Sequence, residues 1–177
     1  EASLKLPFQD GLLFERERFL KCLASPQREG LIHAFFAERR SKKFPEIRDI
    51  QPRKLEKLAV IGGGTMGAGI AQAAASAGWT VYLYDINQQI VDRAQESITK
   101  RFVRLVEKGR ITEEKAESNC AKIIPTTSIE DLQYCDLIIE AIVEDFEVKT
   151  SAIKQIGTAA PNAIIATNTS SLSINEL

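Results

Sequence analysis

The chain has 177 residues, 44% hydrophobic and 27% charged, with a formal net charge of −1, an ordinary globular balance with room for one cored domain and some additional chain. That charge gives no electrostatic case for nucleic acid or an anionic membrane surface, no apolar stretch reaches transmembrane length, and the N-terminus lacks the basic-then-apolar order of a signal peptide. Cys22, Cys120 and Cys135 form no C-x-x-C pair and read as reduced, mostly buried thiols. The first residue is Glu1 and the sole methionine is Met66, so a piece of a longer protein is expected.

Residues 1–52 read as helices without a core of their own. The first is expected from about Gly11 to Ala24, carrying Leu12, Leu13, Phe19, Leu20 and Leu23. Ser25 and Pro26 then make an N-cap and N1 pair for a second helix with Leu31, Ile32, Phe35 and Phe36 on one face. Arg39 to Lys43 is basic, and with Pro45 and Pro52 around it the chain to about Arg53 reads as a linker. A segment this short and this rich in Leu and Phe is expected to pack on another domain or a partner chain.

The next parts come in an order that builds a dinucleotide site. Leu58 to Ile61 is a short apolar run suited to a buried parallel strand, and Gly62, Gly64 and Gly67 occupy the fixed places of G-x-G-x-x-G. Gly62 permits the tight turn, Gly64 lets backbone approach a pyrophosphate, and Gly67 lets the helix lie close on the sheet. The phosphates are then expected at the N-terminus of a helix over Thr65–Ala77, closed by Gly78 at C′. Val81 to Tyr84 is a second strand ended by Asp85, which lies 18 residues after Gly67, at the spacing of an acid that accepts from an adenosine ribose. A carboxylate there repels a 2′-phosphate, and no Arg or Lys follows at 86–89, so NAD is expected rather than NADP.

A long helix follows, about Asn87 to Lys108, with Ile90, Val91, Ala94, Ile98, Phe102, Leu105 and Val106 on its apolar side. Arg93, Lys100, Arg101, Arg104 and Lys108 line its other side, either as a solvated face or as a landing site for an anionic substrate tail. Strands are expected at Ala121–Thr127, Leu137–Ile142 and Ala163–Thr167, with Lys149–Ile156 in a helix. Alternating strands and helices mean a doubly wound parallel sheet of the α/β, Rossmann type, with ligands at the carboxyl ends of the strands. Two polar clusters stand there, Glu140-Ala-Ile-Val-Glu-Asp145 and Thr167-Asn-Thr-Ser-Ser171. Glu144, Lys149, Asn168 and Ser170 are placed to reach a nicotinamide ribose or the reacting carbon, or else serve as caps and turn residues.

Gly62-Gly-Gly-Thr-Met-Gly-Ala-Gly-Ile-Ala71, Asp85, Asp136-Leu-Ile-Ile-Glu-Ala-Ile-Val-Glu144 and Ala166-Thr-Asn-Thr-Ser-Ser-Leu172 together resemble the nucleotide-binding domain of L-3-hydroxyacyl-CoA dehydrogenases over about residues 55–177. Leu6-Pro-Phe and Ala34-Phe-Phe-Ala-Glu-Arg39 resemble the end of the crotonase-like half, with its linker, of bifunctional fatty-acid oxidation enzymes, which join an enoyl-CoA hydratase, a lyase, to the dehydrogenase. The division is thus 1–52 for the helical segment and 53–177 for the NAD-binding domain. The resemblance implies that Gly62, Gly64, Thr65, Met66 and Gly67 cradle the pyrophosphate, that Asp85 holds the adenosine ribose, and that Glu144 and Lys149 lie along the nicotinamide half. It puts Asn168 beside the cofactor, Ser170 on the 3-oxygen of the acyl-CoA substrate, and Lys108 against coenzyme A, with Arg101 standing where some relatives carry serine.

In that family a histidine oriented by a glutamate acts as general base while hydride passes to the nicotinamide. The resemblance puts the histidine in a Gly-x-His-Phe-Phe-type motif about twenty residues beyond the serine, past Leu177, and the hydratase glutamates also fall outside these residues. The one histidine present, His33, falls off the apolar stripe of the second helix and reads as a solvated flank residue. The parent protein is therefore expected to oxidise L-3-hydroxyacyl-CoA to 3-oxoacyl-CoA in fatty-acid β-oxidation, in bacterial cytoplasm or the eukaryotic peroxisome, with the remaining domains of the parent chain as partners. Residues 1–177 alone are expected to bind NAD without turnover. A Rossmann dehydrogenase for another 3-hydroxy acid, and a non-catalytic NAD-binding or interaction module, are the two other readings.

Overall fold

In the computed structural model the described residues are 5–41 and 43–177; positions 1–4, within the expected helical segment, and Lys42, within the expected basic linker, lie outside them. The chain divides after Pro52 into two units, Glu1–Pro52 and Arg53–Leu177.

The first unit holds helix α1 (Phe8–Leu23), helix α2 (Pro26–Ser41) and a 3₁₀ turn over Pro45–Ile47. Helix α1 starts three residues before the expected Gly11, because Pro7 takes the N-cap position and its carbonyl accepts from the Gly11 amide at 2.9 Å. Ser25 caps α2 as expected, its Oγ accepting from the Arg28 amide at 3.3 Å. Neither helix buries a residue: Phe8 is 76% exposed and Leu31 72%.

The second unit is a five-stranded parallel sheet, ordered β3-β2-β1-β4-β5, built from β1 (Lys57–Ile61), β2 (Thr80–Tyr84), β3 (Ile123–Thr126), β4 (Leu137–Glu140) and β5 (Ile164–Thr167). Helices α3 (Thr65–Ser76), α4 (Gln88–Glu107), α5 (Glu113–Cys120) and α6 (Phe146–Ala159) connect the strands, with a 3₁₀ helix over Ile129–Tyr134. Successive side chains of a strand point to opposite faces, so each buried strand feeds two cores. Leu58, Val60, Val81 and Leu83 pack on one face with Ala71 of α3 and Ile98 and Phe102 of α4. Ala59, Ile61, Tyr84 and Ile138 pack on the other with Leu132 and Ile156. Two cores on one parallel sheet are the doubly wound architecture expected from the sequence. Asp136 fixes the entry to β1: its Oδ2 accepts from the Glu56 and Lys57 amides at 2.8 and 2.9 Å, and these two bonds hold its carboxyl below the usual range.

The helix ends carry their signals. Gly78 takes φ +105° after α3, and the Gly78 and Trp79 amides bond the carbonyls of Ala75 and Ala74, a Schellman closure that only a residue without Cβ makes cheaply. Asn87 caps α4, its Oδ1 accepting from the Gln89 amide at 2.9 Å. Helix α5, unread in the sequence, is capped by Thr112 and buries Ala116 and Asn119. The thiols depart from expectation in part: Cys135 is buried, which raises its pKa to about 11, Cys120 is half-buried and Cys22 is exposed. No helix among the described residues is long and apolar enough to cross a membrane.

The close approach of α3 to β1 sets a prediction. A Cβ on Gly67 would stand 1.8 Å from the Gly62 carbonyl oxygen, whereas one on Gly157, inside α6, would meet nothing within 4 Å. Gly67→Ala is therefore expected to cost about 1–3 kcal/mol or more, and Gly157→Ala to stabilise by about 0.5–1 kcal/mol, in thermal or denaturant unfolding. Equal effects of the two substitutions, or effects in the reverse order, would overturn the packing account.

Candidate functional site

Strand order reverses between β1 and β4, so the loops that leave their carboxyl ends diverge and open a crevice. Gly62 starts the first loop at φ +103°, its amide donating to the Tyr84 carbonyl at 2.8 Å; a Cβ there would sit 2.7 Å from the Ala141 carbonyl oxygen across the crevice. Gly64 is the N-cap of α3 at φ −66°, no side chain caps that helix, and a Cβ on Gly64 would meet nothing within 4 Å. The open backbone and uncapped N-terminus leave N–H groups and the positive dipole end facing solvent, the arrangement that receives a phosphate. Gly67 is buried behind them and lets the helix approach.

A cavity of about 930 Å³ runs over this crevice, lined by Gly62, Gly64, Thr65, Met66 and Asp85, by Ala141 to Val143 after β4, and by the side of α6 that carries Val148, Ser151 and Gln155. Asp85 is held at its edge by two amides: Oδ2 accepts from Gly63 at 2.9 Å and Oδ1 from Asn87 at 3.0 Å. Its carboxylate is thereby aimed while each oxygen keeps acceptor capacity, and Ile86, Asn87, Gln88 and Gln89 after it offer no cation to a 2′-phosphate. The glycine cradle, the bare helix N-terminus and the fixed acid fit NAD.

The second set of expected residues converges on one buried ammonium. Lys149 in α6 and Glu140 at the end of β4 are both fully buried, with Lys149 Nζ 2.7 Å from Glu140 Oε1 and 3.3 Å from Glu144 Oε2. Glu140 also accepts from the Ile142 amide at 2.7 Å and, through Oε2, from the Thr167 hydroxyl at 2.5 Å. Glu144 Oε1 receives the hydroxyls of Thr169 and Ser171, at 2.5 and 3.0 Å, and the Ser170 amide at 3.4 Å. The Asn168 amide donates to the Glu140 carbonyl at 2.8 Å, and the Asn168 and Ser170 side chains are exposed. Glu140 heads the first of the two polar clusters but carries no role of its own in the sequence reading, although an acid closing the apolar run Leu137–Ile139 is the signal that could have marked it. Lys108 stands apart, exposed at the C-cap of α4, and does not line the cavity; on the same helix Lys100 is paired with Glu96 at 2.5 Å. His33 is an exposed residue of α2 in the N-terminal unit.

The hydrogen bond from Thr169 chiefly, then those from Ser171, Lys149 and the Ser170 amide, outweigh desolvation and push the Glu144 carboxyl from an ordinary 4.5 down to about 2. Because the folded-state value is the lower one, what Glu144 contributes to stability is complete above its unfolded-state pKa and is lost as pH falls through about 2. A carboxyl-carbon NMR titration is expected to keep Glu144 ionised at pH 3, and a midpoint near 4.5 would contradict the network.

Residues 57–177 match the family described as the NAD-binding domain of 3-hydroxyacyl-CoA dehydrogenase. Over 93% of its length the chain is 36% identical to the peroxisomal fatty acid β-oxidation multifunctional protein of Oryza sativa subsp. japonica, covering 23% of that protein. Over its whole length it is 32% identical to the fatty acid oxidation complex subunit alpha of Psychrobacter cryohalolentis, covering 25% of it. The chain thus spans about a quarter of these relatives. Among solved structures, the (S)-3-hydroxybutyryl-CoA dehydrogenase of Ralstonia eutropha superposes with a TM-score of 0.68 at 38% identity, over 70% of this chain and 44% of that one. The 3-hydroxybutyryl-CoA dehydrogenase of Escherichia coli K12 gives 0.68 at 42% identity, over 70% and 26%. With the glycine cradle, the fixed acid and the reversal of strand order in place, the chain belongs to the 3-hydroxyacyl-CoA dehydrogenase family, by its NAD-binding domain.

Proposed function

We propose that this chain is the nucleotide-binding part of an NAD-dependent dehydrogenase that oxidises L-3-hydroxyacyl-CoA to 3-oxoacyl-CoA in fatty-acid β-oxidation. The single observation that carries the reading is the uncapped N-terminus of α3 at Gly64, opposed across one cavity by the amide-fixed Asp85 carboxylate. The backbone of Gly62 and Gly64, with Thr65, Met66 and the helix dipole, holds the pyrophosphate, and Gly67 brings the helix to the strand end. Asp85 accepts from the adenosine ribose and excludes a 2′-phosphate. Glu144 lies along the nicotinamide half with the buried Lys149 behind it, Asn168 stands beside it, and Ser170 donates to the substrate's 3-oxygen. NAD supplies the hydride acceptor for the carbon that bears the hydroxyl.

The one histidine of these 177 residues, His33, belongs to the N-terminal unit, and the unit that holds the cavity has none of its own. Residues 1–177 therefore bind NAD and orient substrate while the proton of the 3-hydroxyl is taken by a base outside them; turnover of a 3-hydroxyacyl-CoA by purified 1–177 at the rate of whole enzymes would refute this. Lys108 and the basic side of α4 are assigned to coenzyme A, and residues 1–52 to the end of a crotonase-like hydratase half with its linker, whose exposed Leu and Phe pack on the remaining domains. The name of the plant relative supports peroxisomal placement if the parent protein is eukaryotic, and a bacterial parent is assigned to the cytoplasm. A dehydrogenase for another 3-hydroxy acid is the second reading, favoured by the absence of Lys108 from the cavity lining.

Two variants test the nucleotide site. Asp85→Ala is expected to lower NAD affinity roughly 10- to 100-fold, the cost of a charged hydrogen bond. Gly64→Ala, which meets nothing in the folded chain, is expected to leave the melting temperature unchanged and weaken NAD through contact with the ligand. Loss of stability in step with affinity in both variants would make the two positions structural.

A further inference from the structure

We propose that Glu140 is a positioning residue of the nucleotide site, which acts through Lys149 to set Glu144 and the loop that carries Ser170. The inference rests on the nicotinamide-half reading of Glu144 and Lys149.

Glu140 stands opposite Thr167 in the register of β4 and β5, so its carboxylate lies where both strands end and both functional loops begin. The side chain has no exposed surface, and both its oxygens are engaged: Oε1 by the Ile142 amide and the Lys149 ammonium, each at 2.7 Å, and Oε2 by the Thr167 hydroxyl at 2.5 Å. One carboxylate thus fastens the β4 loop, helix α6 and the end of β5. A buried carboxylate is costly unless it is paired and hydrogen-bonded, and a scaffold that needed only volume here would be served as well by an apolar side chain.

What the charge supplies is a fixed cation. Lys149 is fully buried on one side by Glu140 and meets Glu144, which is 40% exposed, on the other at 3.3 Å. Glu144 in turn takes the Thr169 and Ser171 hydroxyls and the Ser170 amide. The chain of contacts Glu140, Lys149, Glu144, Ser170 therefore runs from the dry interior to the surface of the site. In Glu140→Gln the amide keeps an acceptor for the Ile142 amide or Thr167, but it offers no charge to the ammonium, which is left to Glu144 alone.

The test is calorimetric binding of NAD and of ADP to the 177-residue chain and its variants. ADP carries the adenosine and both phosphates, and lacks the nicotinamide ribose. Glu140→Gln is expected to weaken NAD about tenfold or more while ADP changes by less than about twofold. Lys149→Met is expected to cause the same NAD loss, with Glu140→Gln adding nothing to it in the double variant. If Glu140→Gln does not fold, the Glu140→Gln, Lys149→Met double variant, which leaves neither a buried ammonium nor a buried carboxylate unpaired, is titrated in its place, with the same loss of NAD and unchanged ADP expected. Equal loss of NAD and ADP, no loss of either, or losses that add between the two positions would overturn the positioning role. A wild-type chain that binds neither nucleotide would refute the proposed function itself, a result distinct from a null effect of the variant.

Discussion

The first turn of α3 touches the carbonyl of Gly62, and the nucleotide site depends on that contact. A methyl group at position 67 would overlap the Gly62 oxygen at 1.8 Å, so the approach is available only to glycine. It seats the helix N-terminus at the carboxyl end of β1 and thereby gathers the helix's unpaired N–H groups beside the point where strand order reverses. Gly62 itself needs φ +103° to turn the chain, and its own missing Cβ clears the Ala141 carbonyl. The two requirements are coupled: the turn aims the helix, and the bare Gly67 lets it arrive.

The two halves of the crevice are stabilised by different physics. On the β1–β2 side, backbone does the work, with amides of Gly63 and Asn87 fixing Asp85 and an uncapped helix offering its dipole. On the β4–β5 side, a buried ion pair between Glu140 and Lys149 replaces the backbone cradle. Removing one partner of such a pair leaves an uncompensated buried charge, typically at a cost of about 3–5 kcal/mol, so that side tolerates change poorly even where it touches no ligand.

How much of this was legible in the sequence follows from range. The stretch Leu58–Asp85 declares itself because each signal is local: an apolar run, glycines at fixed offsets, a small-residue helix, a C′ glycine and a terminal acid all lie within one βαβ unit. The apolar stripe of α4 likewise falls where Val91, Ala94, Ile98 and Phe102 are buried. Helix α5 was missed because Glu113–Cys120 offers only Ala116 and Asn119 to the core, too little for a helical period to show. Strand β4 ends at Glu140 rather than Ile142, since the Ile142 amide turns back to the Glu140 side chain. Glu140 and Lys149 meet across nine positions, a spacing that no periodicity singles out. Thr169 and Ser171, which the sequence places in the second polar cluster without roles of their own, prove to be donors to Glu144 from 25 and 27 positions away.

The central claim is a preformed dinucleotide cradle whose acid selects the unphosphorylated ribose, and a calorimetric titration of residues 1–177 with NAD and, separately, with NADP tests it most directly. The account predicts saturable binding of NAD and little or none of NADP, because a carboxylate in the role proposed for Asp85 repels a 2′-phosphate and 86–89 supply no cation. NADP bound as tightly as NAD, or neither bound at all, would contradict it.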